Sequence, residues 1–129
     1  MKKLTILLVI IFTFLFSTTS WGDWNYLIKS IKGMKFYYDK DRVRKNGKYL
    51  YFWMLVDVIK PIRGGLSSKS YFQLECSMLR FKNLNFQLYN KSMGEGEMIG
   101  NETPRDEWGY PPPDSVYETL FNKICEEHQ

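Results

Sequence analysis

The sequence predicts an α+β domain: a twisted antiparallel sheet of about five or six strands, with one C-terminal helix packed on a face and one disulfide tying helix to sheet. Three observations lead there. Aromatic and β-branched segments, several alternating with period two, run from Lys35 to Tyr89. One capped, amphipathic helical pattern comes last, behind a proline cluster. The two cysteines, Cys76 and Cys125, fall one in the strand region and one on the helix.

The chain opens with Met1-Lys2-Lys3 and then Leu4 to Phe16, 13 residues without a charge and interrupted only by Thr5 and Thr13. That is the charge pattern and length of a secretory signal peptide. A membrane-spanning helix needs roughly 20 apolar residues, and Ser17, Thr18, Thr19 and Ser20 end the run with small residues suited to signal peptidase. Residues 1 to 22 are therefore expected to be a signal peptide, cut after Ser20 or Gly22, and residues 23 to 129 one small domain. An uncleaved anchor with Trp21 and Trp24 at the membrane interface is the competing reading. The first cysteine is Cys76, so no thiol near the cut could carry a lipid anchor. The expected location is periplasmic, secreted or cell-surface, with no stable membrane anchor after cleavage.

Asp23 to Ile31 fits strand or helix, and Lys32-Gly33 reads as a turn before an aromatic strand over Lys35 to Asp39. Asp39 to Lys48 is charged and carries Asn46-Gly47, the pair that supplies positive φ in a hairpin turn. Tyr49 to Ile59 is the most apolar stretch after the leader and predicts a central strand, closed by Pro61 and Gly64-Gly65. Lys69 to Phe81 alternates, putting Phe72, Leu74, Cys76 and Met78 on one face and Tyr71, Gln73, Glu75 and Ser77 on the other. A turn at Lys82-Asn83 then leads to a strand over Leu84 to Tyr89. Met93 to Pro113 holds four glycines and four prolines and reads as irregular, with a short strand around Glu97 to Ile99. Ser115-Val116-Tyr117-Glu118 has the capping-box pattern, and Val116, Leu120, Phe121, Ile124 and Cys125 form one helical stripe.

Export places the cysteines in an oxidising compartment, where an even pair far from any C-x-x-C motif is expected to bridge, Cys76 to Cys125. Lys2 and Lys3 leave with the leader, so 18 basic residues fall to 16 against 14 acidic ones and the net charge from +4 to +2. A basic stripe of the kind that binds nucleic acid is not indicated. Aromatic residues are too many for one helix to cover, so some Tyr and Trp are expected at the surface.

The catalytic inventory is thin. His128 is the only histidine and sits in the tail, where a triad or metal site would depend on a fraying end. The carboxylate pairs Asp39/Asp41, Glu95/Glu97 and Glu126/Glu127 could in principle serve acid–base chemistry but are explained by charged turns and ends. Glu95-Gly96-Glu97 offers too few oxygens for a calcium loop, and Gly94 with Gly96 lacks the strand–turn–helix frame of a phosphate loop. No catalytic, cofactor-binding or metal site is assigned. Arg42, Arg44, Lys45 and Lys48 surround the Asn46-Gly47 turn, as a solvated hairpin tip or as a contact for an acidic partner.

In order, Trp24, Tyr37-Tyr38-Asp39, Gly47, Trp53, Ser67-Ser68-Lys69, Leu74-Glu75-Cys76, Arg80, Tyr89, Met93-Gly94-Glu95-Gly96, Trp108 and the Pro113 to Cys125 segment with Ser115, Glu118 and Leu120 resemble the surface-adhesin protein E family. The resemblance implies the same antiparallel sheet, C-terminal helix and disulfide. It also implies a non-enzymatic role without cofactor, the family's namesake being an outer-membrane lipoprotein that binds host matrix and serum proteins. The leading expectation is thus an exported, non-catalytic binding protein that contacts extracellular or envelope proteins. The alternative is a soluble periplasmic protein with a structural or stress-related envelope role and no host partner, and a third reading is an enzyme acting on envelope glycans.

Overall fold

The computed structural model describes residues 2–6 and 23–129. The expected signal peptide lies for the most part outside the described residues. Among these, no helix is long and apolar enough to cross a membrane.

Seven strands form a single antiparallel sheet: β1 (Asn25–Lys29), β2 (Lys35–Tyr38), β3 (Arg44–Asn46), β4 (Tyr49–Ile62), β5 (Gly65–Glu75), β6 (Arg80–Tyr89) and β7 (Met98–Glu102). Six follow the spatial order β1-β2-β4-β5-β6-β7, and the three-residue β3 pairs with β4 alone. Helix α1 (Val116–His128) is last. The α+β architecture is the one expected from sequence. Within Asp23 to Ile31, whose sequence fits strand or helix, Asn25–Lys29 is strand because it pairs with β2.

Several turns fall elsewhere than the local signals suggest. The β3–β4 loop is Gly47-Lys48, with Asn46 opposite Tyr49 and Gly47 at φ 61°. Strand β4 does not stop at Pro61; its ladder with β5 is interrupted between Asp57 and Ile62, so the missing proline N–H breaks no bond there. The turn is Arg63-Gly64, both at positive φ as a type I′ hairpin loop requires. The expected strand over Lys69 to Phe81 is really the end of β5, a turn over residues 76–79, and the start of β6. Met78 consequently points to solvent at 54% exposure instead of joining the core face. Lys82-Asn83 is not a turn: it precedes a bulge at Leu84, where Tyr71 is opposite Asn85 and Phe72 opposite Asn83.

The core lies between α1 and one face of the sheet. Leu50, Phe52, Met54 and Val56 of β4 and Phe72 and Leu74 of β5 meet Leu120, Phe121, Ile124 and Cys125 of the helix. Phe121 is wholly buried, its ring within 5.0–6.3 Å of the Phe52, Phe72 and Phe81 rings. Burying one such side chain contributes about 1.5–3 kcal/mol. Half of the expected capping box forms: Ser115 Oγ accepts from the Glu118 N–H at 3.2 Å, but Glu118 Oε1 accepts from the Asp114 N–H at 3.2 Å, and the Ser115 N–H donates to the Pro112 carbonyl at 3.2 Å. Cys76, at the end of β5, and Cys125 form a disulfide with Cα atoms 5.8 Å apart, fastening the helix to the β5–β6 turn.

Candidate functional site

Alternation along β4 sends Leu50, Phe52, Met54 and Val56 to the helix and leaves Tyr49, Tyr51 and Trp53 on the opposite, helix-free face. In register beside them, β5 contributes Lys69, Tyr71 and Gln73, and β2 contributes Tyr37. All are half-buried. Trp53 and Tyr71 face each other across the strands and stack with centroids 5.0 Å apart, and Tyr51 adjoins Tyr71 at 6.3 Å. Tyr26 of β1 meets Tyr37 edge-on at 5.6 Å. Rings therefore stand on four strands of this face, as a Tyr26–Tyr37 pair and a Tyr51–Tyr71–Trp53 row, and among the described residues no α-helix covers them.

Cations flank this row at both ends of the strands. Arg44 and Lys45 of β3 line a shallow pocket with Tyr51, Tyr71 and Leu84, and among the described residues neither has a carboxylate partner. The backbone bridge between Phe81 and Gly109 (N···O 2.9 and 2.8 Å) brings Trp108 onto the same face. Trp108 stacks on Tyr49 at 5.8 Å and lies beneath the Arg80 guanidinium at 4.2 Å and Lys82 Nζ at 4.7 Å. Glu75, 3% exposed, pairs with Arg80 and with Lys48 Nζ at 3.3 Å. The hydrogen bond from Arg80, with help from Lys48, holds its carboxyl below the usual glutamate range despite the opposing effect of burial.

At the other end, Lys69 Nζ lies 4.8 Å from the Tyr89 ring and 5.8 Å from that of Trp24. Burial pushes the Tyr89 hydroxyl above its ordinary pKa. A short 3-10 turn (Ser92–Gly94) folds over the sheet here, its Met93 N–H donating to Asp57 Oδ1 at 2.9 Å and its Gly94 N–H to Ser67 Oγ at 2.8 Å. Gly94 has φ 69°, and a Cβ there would collide with the Lys69 side chain. The turn closes over Leu55, which is wholly buried though it faces away from the helix.

Residues 24–126 match the surface-adhesin protein E family. The chain belongs to that family. Two solved structures of Haemophilus influenzae protein E share its fold: one, crystal form II, has a TM-score of 0.61 at 17% identity over 87% of this chain and 92% of that one, the other 0.62 at 16% identity over 87% and 89%. No curated protein sequence matches it significantly.

The adhesin E motif residues divide between scaffold and face. Ser67, Gly94, Leu74, Ser115, Glu118 and Leu120 hold loops, caps or core, and Ser67-Ser68-Lys69 and Met93-Gly94-Glu95-Gly96 are a strand and a glycine-dependent turn. Trp24, Tyr37, Trp53, Arg80, Tyr89 and Trp108 are on or beside the aromatic face. Of the basic cluster, Arg44, opposite Tyr51, belongs to this face; Lys45, opposite Leu50, borders the same pocket but projects to the other side of the sheet, Arg42 pairs with Asp39 at 3.5 Å, and Lys48 pairs with Glu75. Asp41, Glu95, Glu97 and Glu126 are exposed, and among the described residues no three His, Cys, Asp or Glu side chains gather as a metal site would require. His128 is not a fraying tail: it ends α1 with Nε2 3.3 Å from the Tyr38 hydroxyl, which also donates to Glu127. Burial, reinforced by Glu127, raises the Tyr38 pKa well above that of a free phenol.

The aromatic row itself was not singled out from sequence. Its signal is present in Tyr49 to Val56, where Tyr, Tyr and Trp occupy alternate positions between Leu, Phe, Met and Val. Rings with a polar edge tolerate a half-wet face, while the aliphatic set does not.

Proposed function

We propose that this chain is an exported, non-catalytic binding protein of the surface-adhesin E type, which contacts extracellular or envelope proteins through the helix-free face of its sheet. The observation that carries the reading is the Trp53–Tyr71–Tyr51 row with Arg44 beside it. Rigid aromatic side chains and arginine are what protein interfaces concentrate at their cores, since they bury much area for little lost freedom. Arg44, without a carboxylate partner among the described residues, favours an acidic partner surface. Residues 1–22 serve as the signal peptide in this reading, and residues 23–129 are the binding domain, acting without cofactor.

A photo-crosslinking residue placed at Tyr51 tests this in cells exporting the full chain, alone and layered on an extracellular-matrix extract, with the same residue at Asn122 on the exposed side of α1 as comparison. Discrete protein adducts are expected from position 51, removed by Trp53→Ala and absent from position 122. Adducts from 122 alone, or none from 51 in either setting, would overturn the proposal. Fractionation and intact mass of the same material check export, expected as a species lacking about 22 residues.

A further inference from the structure

One end of the sheet differs from the rest of the surface. The turn between β1 and β2 carries Ile31 at 107% exposure, the β4–β5 hairpin carries Ile59 at 70% and Ile62 at 49%, and β7 opens with Met98 and then Ile99 at 44%. These elements meet. A Cβ on Gly33 would stand 2.5 Å from Ile59 Cδ1, and one on Gly64 3.8 Å from Ile99 Cδ1. Behind them the helix does not reach: an apolar groove lined by Met34, Val56, Val58 and Leu88 opens beside Tyr117 in the first turn of α1 and continues to Ile62. Four branched aliphatic side chains at one end of a small domain leave most of their apolar area in water, which is the mark of a surface that something covers.

The charge around this end says what covers it. Lys29, Lys32, Lys35 and Lys60 are exposed there. Arg63 pairs with Glu102 at 3.3 Å, Asp57 accepts from the Met93 N–H, and Glu97 stands just before β7. The four lysines thus outnumber the carboxylates left over. A second copy docking isologously would set cations against cations. An anionic lipid surface instead satisfies both parts: the isoleucines enter the boundary between headgroups and acyl chains, and the lysines remain at the level of the phosphates.

We propose that this end of the sheet, led by Ile31 and Ile59 and ringed by Lys32 and Lys60, docks the domain on an anionic phospholipid bilayer. The surface is separate from the aromatic face, so the two proposals stand or fall independently. The test is co-sedimentation of the full chain, as recovered from the exporting host, with phosphatidylcholine vesicles with and without phosphatidylglycerol. Any contribution of residues 1–22 is common to every variant compared. Affinity for the phosphatidylglycerol vesicles is expected to be higher, to fall with added salt, and to drop about tenfold or more in Ile31→Ser/Ile59→Ser, both at exposed positions. Lys32→Gln/Lys60→Gln should weaken binding to the anionic vesicles only, and Tyr51→Ala on the aromatic face should leave it unchanged. Equal binding by wild type and the isoleucine variant, indifference to lipid charge, or a change in self-association in place of vesicle binding would each overturn the proposal.

Discussion

Replacing both Cys76 and Cys125 by alanine opens a loop whose ends are 49 residues apart in sequence. For a loop of that length the chain-entropy account puts the stabilisation lost at roughly 4 kcal/mol at 25 °C. Cys125 is 5% exposed and packs in the core, so loss of its sulfur adds something on the order of 1 kcal/mol. The expected total, about 4–5 kcal/mol, is a large part of the 5–15 kcal/mol typical of a whole domain and corresponds to a fall in Tm of roughly 20 °C. Urea unfolding followed by tryptophan fluorescence compares wild type with the double variant under non-reducing conditions. The variant should still fold in water, because Leu120, Phe121 and Ile124 continue to seat the helix. Its m-value should rise, since the unfolded chain loses a constraint and exposes more surface. A difference below about 1 kcal/mol, or a large one with m unchanged, would refute the claim that the bridge acts chiefly on the unfolded state.

Phe121→Ala removes the ring at the centre of the core cluster and should cost about 3–5 kcal/mol by the same unfolding assay. Ser115→Ala deletes the acceptor for the Glu118 N–H and should cost about 1 kcal/mol, seen as a shift in midpoint without a change in m. Glu75→Gln should destabilise at neutral pH. Because the Glu75 pKa is lowered on folding, its contribution is fully present above the free value of 4.5 and fades as pH falls below it, so wild type and variant should converge in acid. A constant gap across that range would show that the Arg80 and Lys48 pairings do not act through charge.

Much of the fold was legible because its signals are local. Ser115 and Glu118 announce the helix start, and the spacing of Leu120, Phe121, Ile124 and Cys125 announces its buried stripe, both consequences of helical geometry within a few residues. Strand identity in Tyr49 to Ile59 followed equally from β-branched and aromatic content. Turn positions were read less well. Pro61 looked like a terminator only because the gap in the β4–β5 ladder cannot be seen from β4 alone, and Lys82-Asn83 looked like a turn although a bulge absorbs its irregularity.

The sequence by itself determined which elements exist, the capped helix, and the prospect that Cys76 and Cys125 would pair, since each depends on residue chemistry and short-range spacing. Only the tertiary structure decided which apolar residues share a surface. Tyr51, Trp53 and Tyr71 become one row because β4 and β5 pair in a register that sets Trp53 opposite Tyr71. Ile31, Ile59, Ile62 and Ile99 become one patch because two turns and a strand end finish at the same edge of the sheet. Adjacency across strands depends on register and topology, and those are settled by the packing of the whole chain rather than by any segment of it.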